Sequence, residues 1–264
     1  MTNKNRLFVL SLSFLIVFGN ASAQKRDVSK MYELPAYSSS PFFYSAYTVQ
    51  FNTKTNIPDW VAWKLDKRRL NDKKVSRLNK FKPDPALGQS SPTHDDYTNS
   101  GYDRGHMCPA NNCLQSGEAV LESFYMSNVC PQRSDLNKGS WATLEEKCGS
   151  WLVDNFYSEL YIVCGPIPQD VYYTKITGTD KDIYVPDRFF KAIIGKKTKG
   201  GYAGIAFVFA QDGEATPMSI DQLELKIHMD LFVNMPSRIT SKAERMQPNL
   251  SDWPDYNVIR KKRK

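Results

Sequence analysis

Short runs of β-branched and aromatic residues, separated by polar turns, recur along most of the chain and are typical of β-strands. Residues 45–52 and 60–67 are two such runs on either side of a turn-rich segment, and they predict a hairpin. Three later runs predict buried strands over residues 160–164, 188–194 and 202–209.

Apolar residues at helical spacing predict three helices. They cover residues 117–124, with Ser116 as the N-cap, residues 137–157, and residues 219–228. The polar stretch 71–100 has few periodic apolar positions and predicts a long loop. Together these elements predict one α+β domain with a mostly antiparallel central sheet flanked by helices.

The first 23 residues are typical of a secretory signal peptide (1–23). Lys4 and Arg6 precede an apolar run over residues 7–18, and the small residues 21–23 fit a cleavage site. The apolar run is too short to span a bilayer comfortably. We therefore expect the segment to be removed, and we expect a secreted or periplasmic protein without a membrane anchor.

Composition changes this picture little. Hydrophobic residues make up 41% and charged residues 24% of the chain, which excludes wholesale disorder. The net charge of +7 is carried by the two ends, because the rest has 28 basic and 28 acidic residues. Any basic patch on the body must therefore be local. We expect an irregular lead-in over 24–44, one domain over 45–259 and a basic tail over 260–264.

The five cysteines form no zinc pattern. An exported protein can form disulfides, but an odd number leaves at least one thiol unpaired within the chain. We expect mostly buried structural thiols with at most one bridge, and the spacing leaves the connectivity open.

The segment Asp103-Arg104-Gly105-His106 places an acid, a cation, a glycine and an imidazole in four consecutive positions. Arginine recognises phosphate bidentately, and glycine lets a phosphate or another backbone approach closely. Histidine is the natural base near neutral pH, and its ordinary pKa near 6.5 predicts a loss of activity below that pH. The segment indicates phosphate chemistry, with a charged surface turn as the alternative.

A second cluster lies at the predicted long helix. Asn137 stands at its start, and Glu145 lies two turns later, within a quarter turn of the same face. An amide oxygen and a carboxylate so placed can share a hydrated hard cation such as magnesium, which prefers oxygen ligands. The start of a helix also favours a phosphate. The competing interpretation is a capping asparagine and a solvated glutamate.

These clusters belong to an ordered series of segments: Asp103-Arg104-Gly105-His106, Ser127-Asn128-Val129-Cys130-Pro131-Gln132, and Leu136-Asn137 with Trp141 and Leu144-Glu145. In this order they resemble the DNA/RNA non-specific endonucleases. This is the ββα-metal (His-Me finger) family of the secreted Serratia nuclease and mitochondrial endonuclease G. The similarity covers roughly residues 45–235, and the joint pattern is far more specific than any single motif.

The resemblance implies a sugar-non-specific endonuclease that acts on DNA, RNA or both with one Mg²⁺ ion, or Mn²⁺ in its place. It implies that His106 is the general base and that Asn137 is the direct protein ligand of the metal. Glu145 would hold the metal through water, Arg104 would contact phosphate, and Asp103 would brace the loop.

Two positions depart from the family. The family often has an arginine one helical turn after the glutamate, where this chain has Gly149. It also has an arginine ahead of an aromatic before the catalytic loop, and here both Arg77 and Lys80 precede Phe81. Arg133 is a further candidate for contact with phosphate.

Other functions remain compatible with the residues. One is a catalytically weakened protein of the same fold that binds nucleic acid or a protein partner, which Gly149 would favour. Another is a nucleotide or lipid phosphodiesterase with the same chemistry. The sequence leaves the choice between DNA and RNA, the strand preference, the oligomeric state and the biological role open.

Overall fold

The computed structural model describes residues 26–169, 174–177 and 181–259. The predicted signal peptide (1–23) and basic tail (260–264) lie outside these residues. Within them, the strands are β1 (Phe42–Phe43), β2 (Thr48–Asn52), β3 (Ile57–Asp66), β4 (Asp103–His106), β5 (Val129–Gln132), β6 (Tyr157–Pro166), β7 (Lys175–Thr177), β8 (Asp182–Tyr184), β9 (Arg188–Lys197), β10 (Tyr202–Ala210) and β11 (Ala215–Met218). The α-helices are α1 (Lys67–Asn71), α2 (Gly117–Ser123), α3 (Trp141–Val153), α4 (Ile220–Ile227) and α5 (Ser237–Ala243).

Seven of these strands form one antiparallel sheet in the order β1-β2-β3-β6-β9-β10-β11. The predicted hairpin is β2 with β3, and the three predicted buried strands are β6, β9 and β10. Two separate ribbons pair β4 with β5 and β7 with β8. The predicted α+β class, with a mostly antiparallel central sheet flanked by helices, is confirmed.

The central strands are buried on both faces because helices cover both sides of the sheet. Successive side chains of a strand point to opposite faces. Along β3, Val61, Trp63 and Leu65 therefore join one apolar cluster, whereas Trp60 and Ala62 join the other. Helix α3 packs in the first cluster, and helices α4 and α5 pack in the second.

The helix predicted over residues 137–157 is shorter than expected. Helix α3 begins at Trp141, and a wide π-type turn over Leu136–Ser140 precedes it. Gly139 adopts φ −101° and ψ −115°, which is not helical and breaks the regular structure there. Asn137 and Glu145 therefore do not belong to one continuous α-helix.

The other two helices begin where their caps predict. Ser116 Oγ accepts a hydrogen bond from the Ala119 backbone N–H at 3.1 Å. Ser219 and Gln222 form a reciprocal capping box at the start of α4. These bonds satisfy backbone donors that the first turn of a helix leaves free.

The segments predicted as irregular are mostly so. In the described residues the loop 71–100 follows the end of α1 at Asn71 and contains two single-turn helices, Gly88–Ser90 and Asp95–Tyr97, and an isolated bridge between Lys82 and Tyr125. The lead-in contains a single turn, Val28–Lys30, and strand β1, which pairs with β2 and extends the sheet.

All five cysteines are buried free thiols, so the described residues contain no disulfide. The sulfur atoms of Cys108 and Cys113 lie 3.8 Å apart, which is too far for a covalent bond. The described stretches also contain no helix with the length and apolar character needed to cross a membrane.

Candidate active site

The candidate site is built on the β4–β5 ribbon and the helix that follows it. Asp103 pairs with Gln132 and His106 with Val129 in an antiparallel register. The chain then passes through the wide turn into α3, which completes a β-strand, β-strand, α-helix unit. Gly105 leaves room for the Gln132 side chain, because a Cβ atom there would lie 2.1 Å from Gln132 Oε1.

An open cleft of about 560 Å³ lies over this unit. Six of the eight residues proposed from the sequence line it: Arg77, Asp103, Arg104, His106, Asn137 and Glu145. Lys80 and Arg133 are exposed and do not line the cleft, so the structure does not bring them to the site. A larger groove of about 750 Å³ elsewhere on the surface contains none of these residues.

His106 lies against an aromatic wall of the cleft. The centres of the Phe81 and Phe124 rings are 5.0 Å and 4.9 Å from the imidazole centre. Nε2 is covered from solvent and has no hydrogen-bond partner in the structure. Trp141 Nε1 donates to the backbone oxygen of His106 at 3.1 Å, which ties the strand to the start of α3. With Nε2 enclosed, Nδ1 is the ring nitrogen available to a reactant.

The imidazole is held neutral. Burial, with a smaller contribution from the nearby Arg77 guanidinium, lowers the pKa of His106 to about 3. This lowered pKa differs from the sequence expectation of a pKa near 6.5, because a charged imidazole is poorly solvated among phenylalanine rings. The other histidines, His94 and His228, are exposed and lie outside the cleft, as expected for surface residues.

Asn137 is oriented by Asp103. Its Nδ2 atom donates to Asp103 Oδ2 at 3.0 Å, and Lys138 Nζ lies 3.4 Å from the same oxygen. Because the amide nitrogen is used in this bond, the amide oxygen is the atom of Asn137 left to accept a ligand.

Glu145 contacts a residue that the sequence analysis missed. Lys191 on β9 places its ammonium nitrogen 3.4 Å from Glu145 Oε1 and 3.8 Å from the centre of the Trp141 ring. The Lys191 side chain is 1% exposed, whereas that of Glu145 is 24% exposed. Burial raises the pKa of Glu145, and the Lys191 ammonium opposes that rise. The sequence did contain a signal that Lys191 has a special role, because it is a lone lysine within the predicted buried strand 188–194.

Arg104 is held in place by the long loop over residues 71–100. Its Nη2 atom donates to the backbone oxygen of His94 at 2.7 Å and to Thr98 Oγ1 at 3.0 Å. The guanidinium also lies near the Phe81 and Tyr97 rings. These contacts fix a positive charge at the wall of the cleft.

The oxygen donors of the cleft fit a hydrated divalent cation. Asn137 offers an amide oxygen, and Glu145 offers a partly exposed carboxylate in the same open cleft. Magnesium is bound in this way, by one or two protein oxygens with several waters retained. No sulfur ligand lines the cleft, which also fits a hard ion.

Residues 29–237 match the DNA/RNA non-specific endonuclease family, which is most of the chain. The chain belongs to this family. DNA/RNA non-specific endonucleases are metal-dependent phosphodiester hydrolases, and the family resemblance of the sequence motifs is confirmed.

Two relatives illustrate the match within the DNA/RNA non-specific endonucleases. The chain is 31% identical to a nuclease of Serratia marcescens over 192 residues, 70% of this chain and 68% of that protein. It is 34% identical to the mitochondrial nuclease EXOG of Danio rerio over 174 residues, 62% of this chain and 50% of that protein. The chain spans about half the length of the mitochondrial nucleases it matches.

A solved structure of another member shares the fold. The crystal structure of the EndoG/EndoGI complex matches with a TM-score of 0.70 at 22% identity. The match covers 83% of this chain and 96% of the other. It supports the arrangement of the antiparallel sheet and its helices.

Proposed function

We propose that this chain is a metal-dependent endonuclease that hydrolyses phosphodiester bonds of DNA, RNA or both. The observation that carries the proposal is the cleft in which a neutral histidine faces an oriented amide oxygen and a carboxylate on one ββα unit. A base, a cation site and a fixed positive charge are what hydrolysis of a phosphodiester requires.

His106 acts as the general base in this proposal. Its imidazole is neutral at physiological pH because burial disfavours the charged form. A neutral ring can accept a proton from the attacking water at Nδ1. The phenylalanine rings around it limit the directions from which a water can approach.

Asn137 and Glu145 hold the cation. Asn137 supplies the direct ligand through its amide oxygen, and Glu145 receives hydrogen bonds from the waters of the ion. The ion, Mg²⁺ with Mn²⁺ as a substitute, supplies stabilisation of negative charge on the phosphate and the leaving oxygen. Asp103 sets the orientation of Asn137 through the hydrogen bond at 3.0 Å.

The basic residues of the cleft position the substrate. Arg104 Nη2 is held by the loop, and its Nη1 group is left to donate to a phosphate. Arg77 lines the same cleft and takes the role that the sequence left open between it and Lys80. Because the body of the chain has no net charge, attraction to a polyanion depends on this local cluster.

Lys191 positions Glu145. The ammonium contacts both the carboxylate and the Trp141 ring, so it fixes the carboxylate in one place and opposes the rise of its pKa that burial causes. We place the protein outside the cytoplasm, on the evidence of the amino-terminal signal-like segment alone.

A weakened enzyme that binds nucleic acid or a protein partner is the second candidate, and Gly149 is the observation that favours it. A Cβ atom at this position would meet no atom within 4 Å, so the space beside α3 is open where the family often has an arginine. The intact set of His106, Asn137 and Asp103 favours activity, because a binding protein needs no oriented metal ligand.

The experiment that separates the candidates is a cleavage assay on plasmid DNA and on RNA, with Mg²⁺ and with excess chelator. Asn137→Ala is compared with Asn71→Ala, an exposed control at the end of α1. We expect cleavage by the wild type and the control with Mg²⁺, and severe loss in Asn137→Ala. Binding without cleavage by the wild type would support the second candidate.

A further inference from the structure

A cluster of three carboxylates lies far from the cleft, on the helices that cover the opposite face of the sheet. Asp221 and Glu224 are three residues apart on α4 and therefore share one face of that helix. Glu244 follows directly after α5. One oxygen from each of the three residues lies within 4.8 Å of the others.

The backbone holds this cluster together. The N–H of Asp221 donates to the backbone oxygen of Glu244 at 3.1 Å, which joins the start of α4 to the end of α5. The end of α5 in turn rests directly on β10, where a Cβ atom at Gly204 would lie 2.2 Å from the Ala243 oxygen. The backbone positions that carry the three carboxylates are therefore fixed relative to one another by the fold.

One of the carboxylates has no partner. Glu244 is only 9% exposed, and its Oε1 atom is covered from solvent without a hydrogen bond in the structure. Glu224 Oε1 accepts one bond, from the Leu231 backbone N–H at 2.8 Å. The facing cation is Arg245, whose Nε lies 3.6 Å from Asp221 Oδ2 and whose side chain is 75% exposed. The cluster therefore lacks a buried positive charge.

Uncompensated carboxylates at this spacing must be neutralised by protons or by a cation. Burial is the main cause that raises the pKa of Glu244 to about 8 and that of Glu224 to about 7. Asp221 and Asp230 add to both shifts by repulsion, and Arg245 opposes the rise at Glu244.

We propose that Asp221, Glu224 and Glu244 form a calcium-binding site that joins α4 to α5. The donor set consists only of oxygen atoms, and the buried Glu244 Oε1 supplies a ligand that nothing else satisfies. Oxygens on opposite sides of a calcium ion are about 4.6–5.2 Å apart, so three oxygens within 4.8 Å can share one ion without movement of the backbone. Calcium accepts flexible coordination by several oxygens, whereas magnesium requires closer ligands in a near-ideal octahedron, so we expect calcium to be preferred.

The site is separate from the proposed active centre. None of its residues lines the active cleft, and the helices that carry it belong to the other apolar cluster. The ion would stabilise the helical layer on the sheet by replacing carboxylate repulsion with three ionic bonds. The inference does not depend on the proposed nuclease activity.

The test uses isothermal titration calorimetry with calcium chloride on the purified chain carrying Asn137→Ala, which removes the proposed ligand at the active centre. We expect one calcium ion per chain, a saturable rise of Tm with calcium, and a smaller response to magnesium. Adding Glu244→Gln should abolish both signals. Glu214→Gln, in an exposed turn, should leave both signals unchanged.

Cooperative thermal unfolding in the absence of calcium checks that each variant is folded. If Glu244→Gln does not fold, Glu224→Gln is used in its place. Calcium affinity should fall about tenfold or more between about pH 8.5 and pH 6, because protons compete for the carboxylates. No binding in Asn137→Ala, equal binding after Glu244→Gln or Glu224→Gln, or an equal response to magnesium would overturn the proposal.

Discussion

The side-chain amide of Asn137 donates to Asp103 Oδ2 at 3.0 Å across 34 positions of the sequence. This bond joins the first strand of the ββα unit to the turn before its helix. It fixes which atom of Asn137 faces the cleft, so a strand residue controls the geometry of the proposed metal ligand. Hydrogen-bond partners of metal ligands typically change metal affinity or activity by about 10–100-fold when they are removed.

Asp103→Ala should therefore raise the Mg²⁺ concentration needed for half-maximal cleavage by about 10–100-fold. Activity at saturating Mg²⁺ should be affected less, because His106 remains in place. Asp103→Asn keeps an oxygen acceptor and should restore much of the loss. Asp154→Ala, an exposed residue after α3, is the control. An unchanged Mg²⁺ titration in Asp103→Ala would contradict the role given to this bond.

Lys191→Met should weaken the site through Glu145. Loss of the ammonium leaves the carboxylate without its buried partner, so we expect a Mg²⁺ requirement raised by about 10–100-fold. The matched control is Lys196→Met on the same strand, whose ammonium pairs with Glu159 at the surface, 3.6 Å away. The Mg²⁺ titration of both variants provides the readout. If both variants titrate like the wild type, Lys191 serves packing alone.

The pH profile of kcat/KM should reflect the environment of His106. A base must be neutral to act, and burial lowers its pKa well below 6.5, to about 3. The acid limb of the profile should therefore lie below pH 6.5, and activity should be lost only as the pH falls towards the lowered pKa. Arg77→Gln removes a cation that contributes to the shift and should move the limb upward. An acid limb at or above pH 6.5 would show that the imidazole is solvated in the working enzyme.

Gly149→Arg should improve the enzyme. The position has open space, so an arginine fits beside α3, and replacing a helical glycine stabilises the fold by roughly 0.5–1 kcal/mol. A new charge-assisted contact with the phosphate should raise kcat/KM by roughly three- to tenfold. Gly149→Ala separates the two effects, since it gains the stability alone. A fall in activity of folded Gly149→Arg would mean that another cation, such as Arg77, already occupies the phosphate site.

Local patterns were sufficient for five strands of the central sheet and for the caps of two helices. The β2–β3 hairpin follows from runs of apolar residues around a turn, and Ser116 caps its helix through a bond to Ala119, three residues away. His106 and Asn137 were proposed because each stands in a short motif of chemically matched neighbours, and the structure places both at the cleft.

Contacts between residues far apart in the sequence could not be predicted from local patterns. The partner of Glu145 is Lys191, 46 positions later, on a strand whose pairing depends on the whole sheet. The start of α3 was placed four residues too early, because apolar spacing does not report the backbone angles of Gly139. Arg77 and Lys80 both precede Phe81 in the sequence, and of these two the structure places Arg77 along the cleft.

The most direct test of the account compares His106→Asn with His228→Asn, the same substitution at an exposed histidine in a conformation that asparagine also adopts. Cleavage of plasmid DNA and RNA is measured with Mg²⁺ and with excess chelator. We expect wild type and His228→Asn to cleave with Mg²⁺ and to stop with chelator. His106→Asn should bind the substrate but cleave it at least about 100-fold more slowly. Near-normal turnover by His106→Asn, or cleavage that continues in excess chelator, would contradict a metal-dependent nuclease with His106 as its base.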